Sequence, residues 1–250
     1  MNRLLFETHE VDARGAAVLS DRRAAHIYNV LRAVPGMRLR AGIIDGPAGE
    51  AEIISLEPPT VALRFAPLNG DQTLPATPTD LDLLLALPRP KALKRLWPQL
   101  SALGVRRVMV THAERVERCY FSARPVLPEY VRPLLIEGAV QAGVTRLPEF
   151  AIYRRLSDAL AADRADPAPV VRWLGQPGPA ALPPSARPAV AAGIRVAIGP
   201  EGGWTPAELL RLGAAGYLPV SLGPCTLRCD TACIALLALA LSHLQKRTEA

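Results

Sequence analysis

Cysteine is scarce in this chain, with four residues in 250. So few thiols over that length do not make a disulfide scaffold; the fold must rest on its apolar core, and the expected compartment is the cytoplasm. Three of the four, Cys225, Cys229 and Cys233, recur at intervals of four. An iron–sulfur site of the radical-enzyme kind needs Cys-x-x-x-Cys-x-x-Cys, and the last gap here is one residue too long, so no metal is expected. Cys229 and Cys233 are expected to share a helical face and pack as small apolar groups. The N-terminus lacks the basic–apolar–small pattern of a signal peptide. The final apolar run, Ala232 to Leu241, falls short of the roughly 20 residues that span a bilayer, which excludes a membrane partner on this reading and predicts a buried helix. Neither the dinucleotide fingerprint Gly-x-Gly-x-x-Gly nor a phosphate loop with its lysine is present, which weighs against an ordinary nucleotide-using enzyme. There is no internal repeat.

What is present is a globular composition: half of the residues are hydrophobic and 21% are charged. Arginine far outnumbers lysine, and the net charge of +6 favours a polyanionic partner. Up to about Leu68 the pattern is β-rich. Arg3–Phe6 reads as a strand. Asp21–Arg32 reads as a short helix with Ile27, Val30 and Leu31 on its apolar face. Three strands follow, Met37–Ile44, Glu50–Leu56 and Thr60–Phe65, with Asp45–Gly49 as a hairpin loop. This predicts a small barrel-like domain over 1–68. Residues 69–80, rich in proline and poor in large apolar side chains, read as a linker.

From Leu81 strands and helices alternate, which predicts an α/β domain over 81–250 with a parallel sheet covered on both faces. Its expected strands are Leu81–Leu87, Val105–Thr111, Pro148–Ile152, Val170–Leu174, Arg195–Ile198 and Tyr217–Ser221. Its expected helices are Pro90–Leu103, Leu127–Gln141, Pro206–Gly213 and Asp230–Lys246, with a proline-rich loop over Gly175–Pro188. Pro98 inside the first of these helices predicts a kink near Leu93-Lys94 or an early end.

Two glycine turns carry the strongest signal. Ile198-Gly199-Pro200-Glu201-Gly202-Gly203-Trp204 leaves a strand and opens a helix, with Thr205 as N-cap, Pro206 at the first helical position and Glu208 placed for a capping box. Leu222-Gly223-Pro224-Cys225-Thr226-Leu227-Arg228-Cys229-Asp230 does the same before the last helix. Two such turns after consecutive strands predict a small-molecule pocket at the strand ends. A dense basic run, Arg89, Lys91, Lys94 and Arg95, with Arg106 and Arg107 after it, is a candidate RNA-backbone contact, as are Arg22, Arg23, Arg32, Arg38 and Arg40 on the first domain. The acids of that first domain roughly balance its bases, so only a segregated face would bind. His26 is expected to pack or to make a hydrogen bond; His112, near Glu114 and Arg115, is a weaker polar-site candidate.

In these residues the chain resembles the RsmE-type family of 16S ribosomal RNA uridine-N3 methyltransferases, within the SPOUT superfamily. The resemblance runs over nearly the whole length. It is carried by His26-Ile27-Tyr28-Asn29-Val30-Leu31-Arg32 with Pro35-Gly36, by Leu103-Gly104-Val105, by Arg146-Leu147-Pro148-Glu149, and above all by the two glycine turns. The sequence departs from the family pattern at Gln99 and Ala102, at Val140 and Val144, and at Asp230, where the family has Glu.

The resemblance implies a fold: a small PUA-like β-barrel domain that binds RNA, followed by a SPOUT-type parallel sheet with a C-terminal trefoil knot. It implies S-adenosyl-L-methionine as methyl donor, ribosomal RNA or the small ribosomal subunit as partner, and a homodimer with the pocket near the subunit interface. Gly199, Glu201, Gly202, Leu222, Gly223 and Leu227 are then the expected donor-binding set. Arg228 is the expected catalytic group, because a guanidinium beside O2 or O4 favours the deprotonated uracil. Asp230 is expected first as the cap of the last helix, and otherwise as the holder of Arg228 or a ligand contact. Two readings stay open beside this one: an RNA-binding protein on the same scaffold with lost or altered catalysis, and a methyltransferase for another RNA.

Overall fold

The computed structural model describes residues 2–68, 80–179 and 193–245. The chain forms two compact units, one of Met1–Thr77 with Ile136–Leu147, the other of Pro78–Leu135 with Pro148–Ala250. The expected linker lies outside the described residues except for Asp80, and so does most of the expected proline-rich loop.

The first unit is built on a five-stranded sheet of β1 (Leu4–Phe6), β2 (Ala16–Leu19), β3 (Arg38–Ile43), β4 (Ala48–Glu57) and β5 (Thr60–Pro67), in the order β1-β3-β4-β5-β2. Side chains alternate across a strand. On β5 this buries Val61, Leu63 and Phe65 and turns Arg64 to solvent. They pack with Leu4, Phe6, Leu19 and Ile53, and with Ala24 and Ile27 of the helix α1 (Arg22–Asn29). Asp21 caps α1 through its carboxylate and the Arg23 N–H. Strand β2 is an element that the sequence pattern did not reveal.

The second unit is a six-stranded sheet, parallel throughout. Its strands are β6 (Leu81–Ala86), β7 (Arg107–Thr111), β8 (Glu149–Tyr153), β9 (Val170–Gly175), β10 (Gly193–Ile198) and β11 (Tyr217–Val220), in the order β11-β9-β10-β6-β7-β8. Every residue of β6 and β10 is buried, as expected of central parallel strands. The helices are α2 (Pro90–Ala102), α3 (Pro128–Ala142), whose residues from Ile136 on belong to the first unit, α4 (Leu156–Ala165), α5 (Pro206–Ala214) and α6 (Cys229–Gln245). α2 runs on through Pro98, so the proline does not end it. α4 was not expected from the sequence. α6 lies against β10 and β6 with Cys229, Cys233, Leu236, Leu237 and Ala240 buried, so the two cysteines pack as predicted. Among the described residues no helix is long and apolar enough to cross a membrane.

A buried charge network closes one end of this sheet. Arg195, fully buried, donates to Asp82 Oδ2 from Nη2 at 2.9 Å and to the Asp163 carbonyl from Nη1 at 2.8 Å. Arg106 and Arg107 donate to Asp82 and Asp166, and Arg172 donates to Asp163. Arg106 and Arg107, candidate RNA contacts by sequence, are thus engaged by carboxylates of the fold.

Candidate active site

Three chain segments leave neighbouring strands at their C-terminal ends: Gly175-Gln176-Pro177 from β9, Gly199–Trp204 from β10, and Ser221–Leu227 from β11. They surround a hollow of about 320 Å³. Such a crevice is where open α/β sheets bind ligands. Gly199, Glu201, Gly202, Leu222, Gly223 and Leu227, the six residues singled out from the sequence, all line it.

Local chemistry fixes the turns. Gly203 sits at φ +71° and Gly223 at φ +135°, a region open to glycine and costly for other residues. Thr205 caps α5 in the capping box the sequence predicts: Glu208 Oε2 accepts from the Thr205 N–H at 2.8 Å, and Thr205 Oγ1 from the Glu208 N–H. The other Glu208 oxygen accepts the Glu114 N–H at 2.8 Å, and Arg115 Nη1 donates to the Gly202 carbonyl at 2.6 Å. The loop after β7 therefore braces the first glycine turn, a role for Glu114 and Arg115 that spacing alone could not disclose.

The second turn is braced from the other side. Ser221 Oγ donates to the Gly178 carbonyl at 2.8 Å and accepts the Gly223 N–H at 3.1 Å, while the Gln176 N–H reaches the Val220 carbonyl. The third wall, Gly175 to Pro177, carried no sequence signal because it opens a stretch read only as loop. Trp204, 6% exposed, also lines the hollow, and its indole N–H is buried without a hydrogen-bond partner among the described residues.

A second hollow adjoins the first, with Glu201 and Cys229 lining both. Around it stand Arg89, Lys91, Arg95, Arg228 and Asp230. Glu201 accepts the Arg89 N–H at 3.1 Å, which places its carboxylate at the start of α2, where the helix dipole favours an anion. Three residues of the expected RNA-contact run, Arg89, Lys91 and Arg95, thus stand with both expected catalytic residues. Lys94 is exposed on the same helix but does not line the hollow.

Asp230 departs from its first expected role. α6 already starts at Cys229, so Asp230 lies within the first turn and is not the cap. Its carboxylate instead meets Arg95 Nη2 at 2.5 Å and lies 3.4 Å from Arg228. The Arg95 hydrogen bond, against the opposing effect of burial, holds the Asp230 carboxyl below the usual carboxylate range.

On the first unit Arg22 and Arg32 are exposed, as are Arg38 and Arg40. Arg23 differs. Its guanidinium is bound by Glu10 and Asp21 and donates to the Leu5 carbonyl, so its donors serve the unit's own structure. His26 is half-buried in α1 and its Nε2 is buried without a hydrogen-bond partner among the described residues. His112 stacks on Phe121 with ring centroids 5.8 Å apart, outside both hollows. No cluster able to hold a metal ion occurs among the described residues.

Residues 75–241 match the family model of the RNA methyltransferase domain. The chain is 33% identical to ribosomal RNA small subunit methyltransferase E of Treponema pallidum, over 99% of this chain and 94% of that one. It is 23% identical to ribosomal RNA small subunit methyltransferase E 1 of Borreliella burgdorferi, over 98% and 99%. In fold it is similar to a ribosomal RNA small subunit methyltransferase E from Neisseria gonorrhoeae solved with S-adenosylmethionine, with a TM-score of 0.76 at 22% identity over 97% of each chain. The Legionella pneumophila protein Lpg2936, solved with the same cofactor, gives 0.74 at 22% identity over 96% of this chain and 97% of that one.

Proposed function

We infer methyl transfer to ribosomal RNA from one premise: the chain belongs to the ribosomal RNA small subunit methyltransferase E family. The protein is an S-adenosylmethionine-dependent enzyme on this reading. The observation that carries it is the pair of glycine turns walling a hollow whose neighbour is lined by Arg228 and three other basic side chains.

S-adenosylmethionine fits the first hollow. Its volume is at the small end of the usual range for ligand pockets, and its walls are largely glycine main chain and apolar side chains. Gly199, Glu201, Gly202, Leu222, Gly223 and Leu227 would hold it. Once bound, the cofactor supplies an electrophilic methyl group on a sulfonium.

The rest falls to this chain's own residues. Uracil N3–H is a weak acid and must lose its proton to accept a methyl group. The second hollow carries four cationic side chains, Arg89, Lys91, Arg95 and Arg228, against the carboxylates Glu201 and Asp230. That surplus favours the uracil anion over the neutral base. Arg228, 73% exposed and beside the boundary between the hollows, is the group placed to meet O2 or O4. Asp230, engaged with arginine and held ionised, is a poor base for the N3 proton.

The target on this reading is N3 of a uridine in 16S ribosomal RNA, presented by exposed basic residues: Arg89, Lys91 and Lys94 on α2, and Arg22 and Arg32 on the first unit. We assign residues 1–68 to a PUA-like RNA-binding domain and 81–250 to a SPOUT domain with a trefoil knot. Family membership supports both, as it supports a homodimer working in the cytoplasm on ribosomal RNA or the assembled small subunit.

The test is transfer of labelled methyl from S-adenosylmethionine to small-subunit RNA, with the product mapped by mass spectrometry. Arg228→Ala should lower kcat about 100-fold or more, the usual cost of removing one group that stabilises developing negative charge, while donor affinity by calorimetry stays within a few-fold. Donor binding without methylation of any RNA supports the RNA-binding reading instead. A mark on a different RNA keeps the chemistry and changes the substrate.

A further inference from the structure

Arg95 and Asp230 come together from positions 135 apart in sequence. Arg95 stands on the second turn of α2, and its Nη2 meets Asp230 Oδ2 at 2.5 Å. On the other side of the carboxylate, Arg228 Nε lies 3.4 Å from Oδ1 and Arg228 Nη2 lies 3.4 Å from Oδ2. The Thr231 N–H also reaches Oδ1, at 3.1 Å. Asp230 is thus a bridge between two guanidiniums, one rooted in a helix and one reaching toward solvent. The Asp230 side chain is 15% exposed and Arg228 is 73% exposed, so Arg228 has little packing of its own to fix its direction. Glu201, the other acid of the second hollow, accepts a main-chain N–H of Arg89. Among the residues lining that hollow, Asp230 is the acid within ion-pair distance of Arg228.

We propose that Arg95 is a positioning residue for methyl transfer: it anchors the Asp230 carboxylate, and Asp230 in turn directs the Arg228 guanidinium toward the acceptor base. The proposal rests on the methyltransferase reading above, in which Arg228 meets the uracil. It separates Arg95 from the neighbouring basic residues of α2. Arg89, Lys91 and Lys94 have no carboxylate ion pair among the described contacts, whereas the charge of Arg95 is met by Asp230 and offers less to a phosphate. A carboxylate held between two cations is also a fixed orienting element, because its pull on each guanidinium is directional and charge-assisted.

A double-mutant cycle tests it. Arg95→Ala should lower kcat about tenfold, with the KM for RNA and the donor affinity within twofold and the melting temperature little changed. Adding Arg95→Ala to Asp230→Asn should cost almost nothing further, since both act through one bridge. Arg95→Lys, which keeps a cationic donor, should recover part of kcat. The proposal is overturned if the Arg95→Ala loss lies in the RNA KM, grows with salt and adds in full to that of Asp230→Asn, for that pattern belongs to a phosphate contact. A wild-type chain that binds the donor and methylates no RNA removes the methyltransferase reading and this proposal together. An active wild type with additive effects removes this proposal alone.

Discussion

Glu208 shows how far one side chain reaches. It is 6% exposed, and its two oxygens accept from the Thr205 N–H, the Thr205 hydroxyl and the Glu114 N–H. The half of this arrangement that lies within α5 was legible, because a capping box is a matter of spacing along one chain. The Glu114 half was not, because it joins a loop to a helix 94 positions further along the chain. Replacing Glu208 with Ala strands the buried Thr205 N–H and the partly exposed Glu114 N–H and removes one half of the capping box, while Thr205 still caps the helix through the N–H of position 208. The stranded buried donor costs about 1–3 kcal/mol and the lost half of the capping box about 1, so a loss of roughly 2–4 kcal/mol in urea unfolding is expected. Donor affinity should fall as well, since the same carboxylate holds the start of the first glycine turn's helix against the β7 loop. Glu208→Gln keeps one acceptor and should lose less than half as much. An alanine variant as stable as wild type would show that the bridge is not made in solution.

At the scale of elements, the sequence was most readable where a pattern is long or chemically special. The all-apolar strands β6 and β10 read as buried strands, and the glycine turns read as a pocket; the structure supports both. β2 and α4 were missed for physical reasons. β2 is four residues, Ala-Ala-Val-Leu behind a glycine, too short for alternation to register. α4 turns a face of Leu156, Ala159, Leu160 and Asp163 inward, where small residues and a buried acid blur the apolar stripe. That acid belongs to the network that makes Arg195 tolerable inside β10. Removing an arginine from such a network leaves buried carboxylates short of charge, which costs about 3–5 kcal/mol, whereas exposed pairs contribute less than about 1. Arg195→Met should therefore destabilise by about 3–5 kcal/mol in denaturant titration, and Asp82→Asn added to it should restore part of the loss. A cost below about 1 kcal/mol would mean that Arg106, Arg107 and Arg172 suffice to hold Asp82 and Asp163.

For the whole molecule, the net charge of +6 pointed to a polyanionic partner, in keeping with a ribosomal RNA methyltransferase family, but it did not say which arginines are left for one, because several are engaged by carboxylates of the fold. Arg106, Arg107, Arg172 and Arg195 face Asp82, Asp163 and Asp166 at the sheet end. What remains for RNA is the local surplus around Arg228 and the exposed bases of α1 and α2. Apolar side chains are also left outside. α6 buries one face, yet Ile234 on its other side is 37% exposed, and Leu222 and Leu227 in the turn before it are 40% and 39% exposed. Scattered exposed leucines are ordinary, but here they stand on the element and the turn that form the two hollows. A second copy of the chain covering this side would bury them and shut the donor hollow from water, which agrees with the homodimer proposed from family membership. Ile234→Glu tests the idea without touching a residue that lines either hollow. By light scattering at micromolar concentration the wild type should have twice the chain mass and the variant the mass of one chain. Methylation should fall with the dimer, and the circular dichroism of the variant should be unchanged. A variant that stays dimeric, or a wild type that is monomeric, would move the subunit contact off α6 and leave the hollows to be completed within one chain.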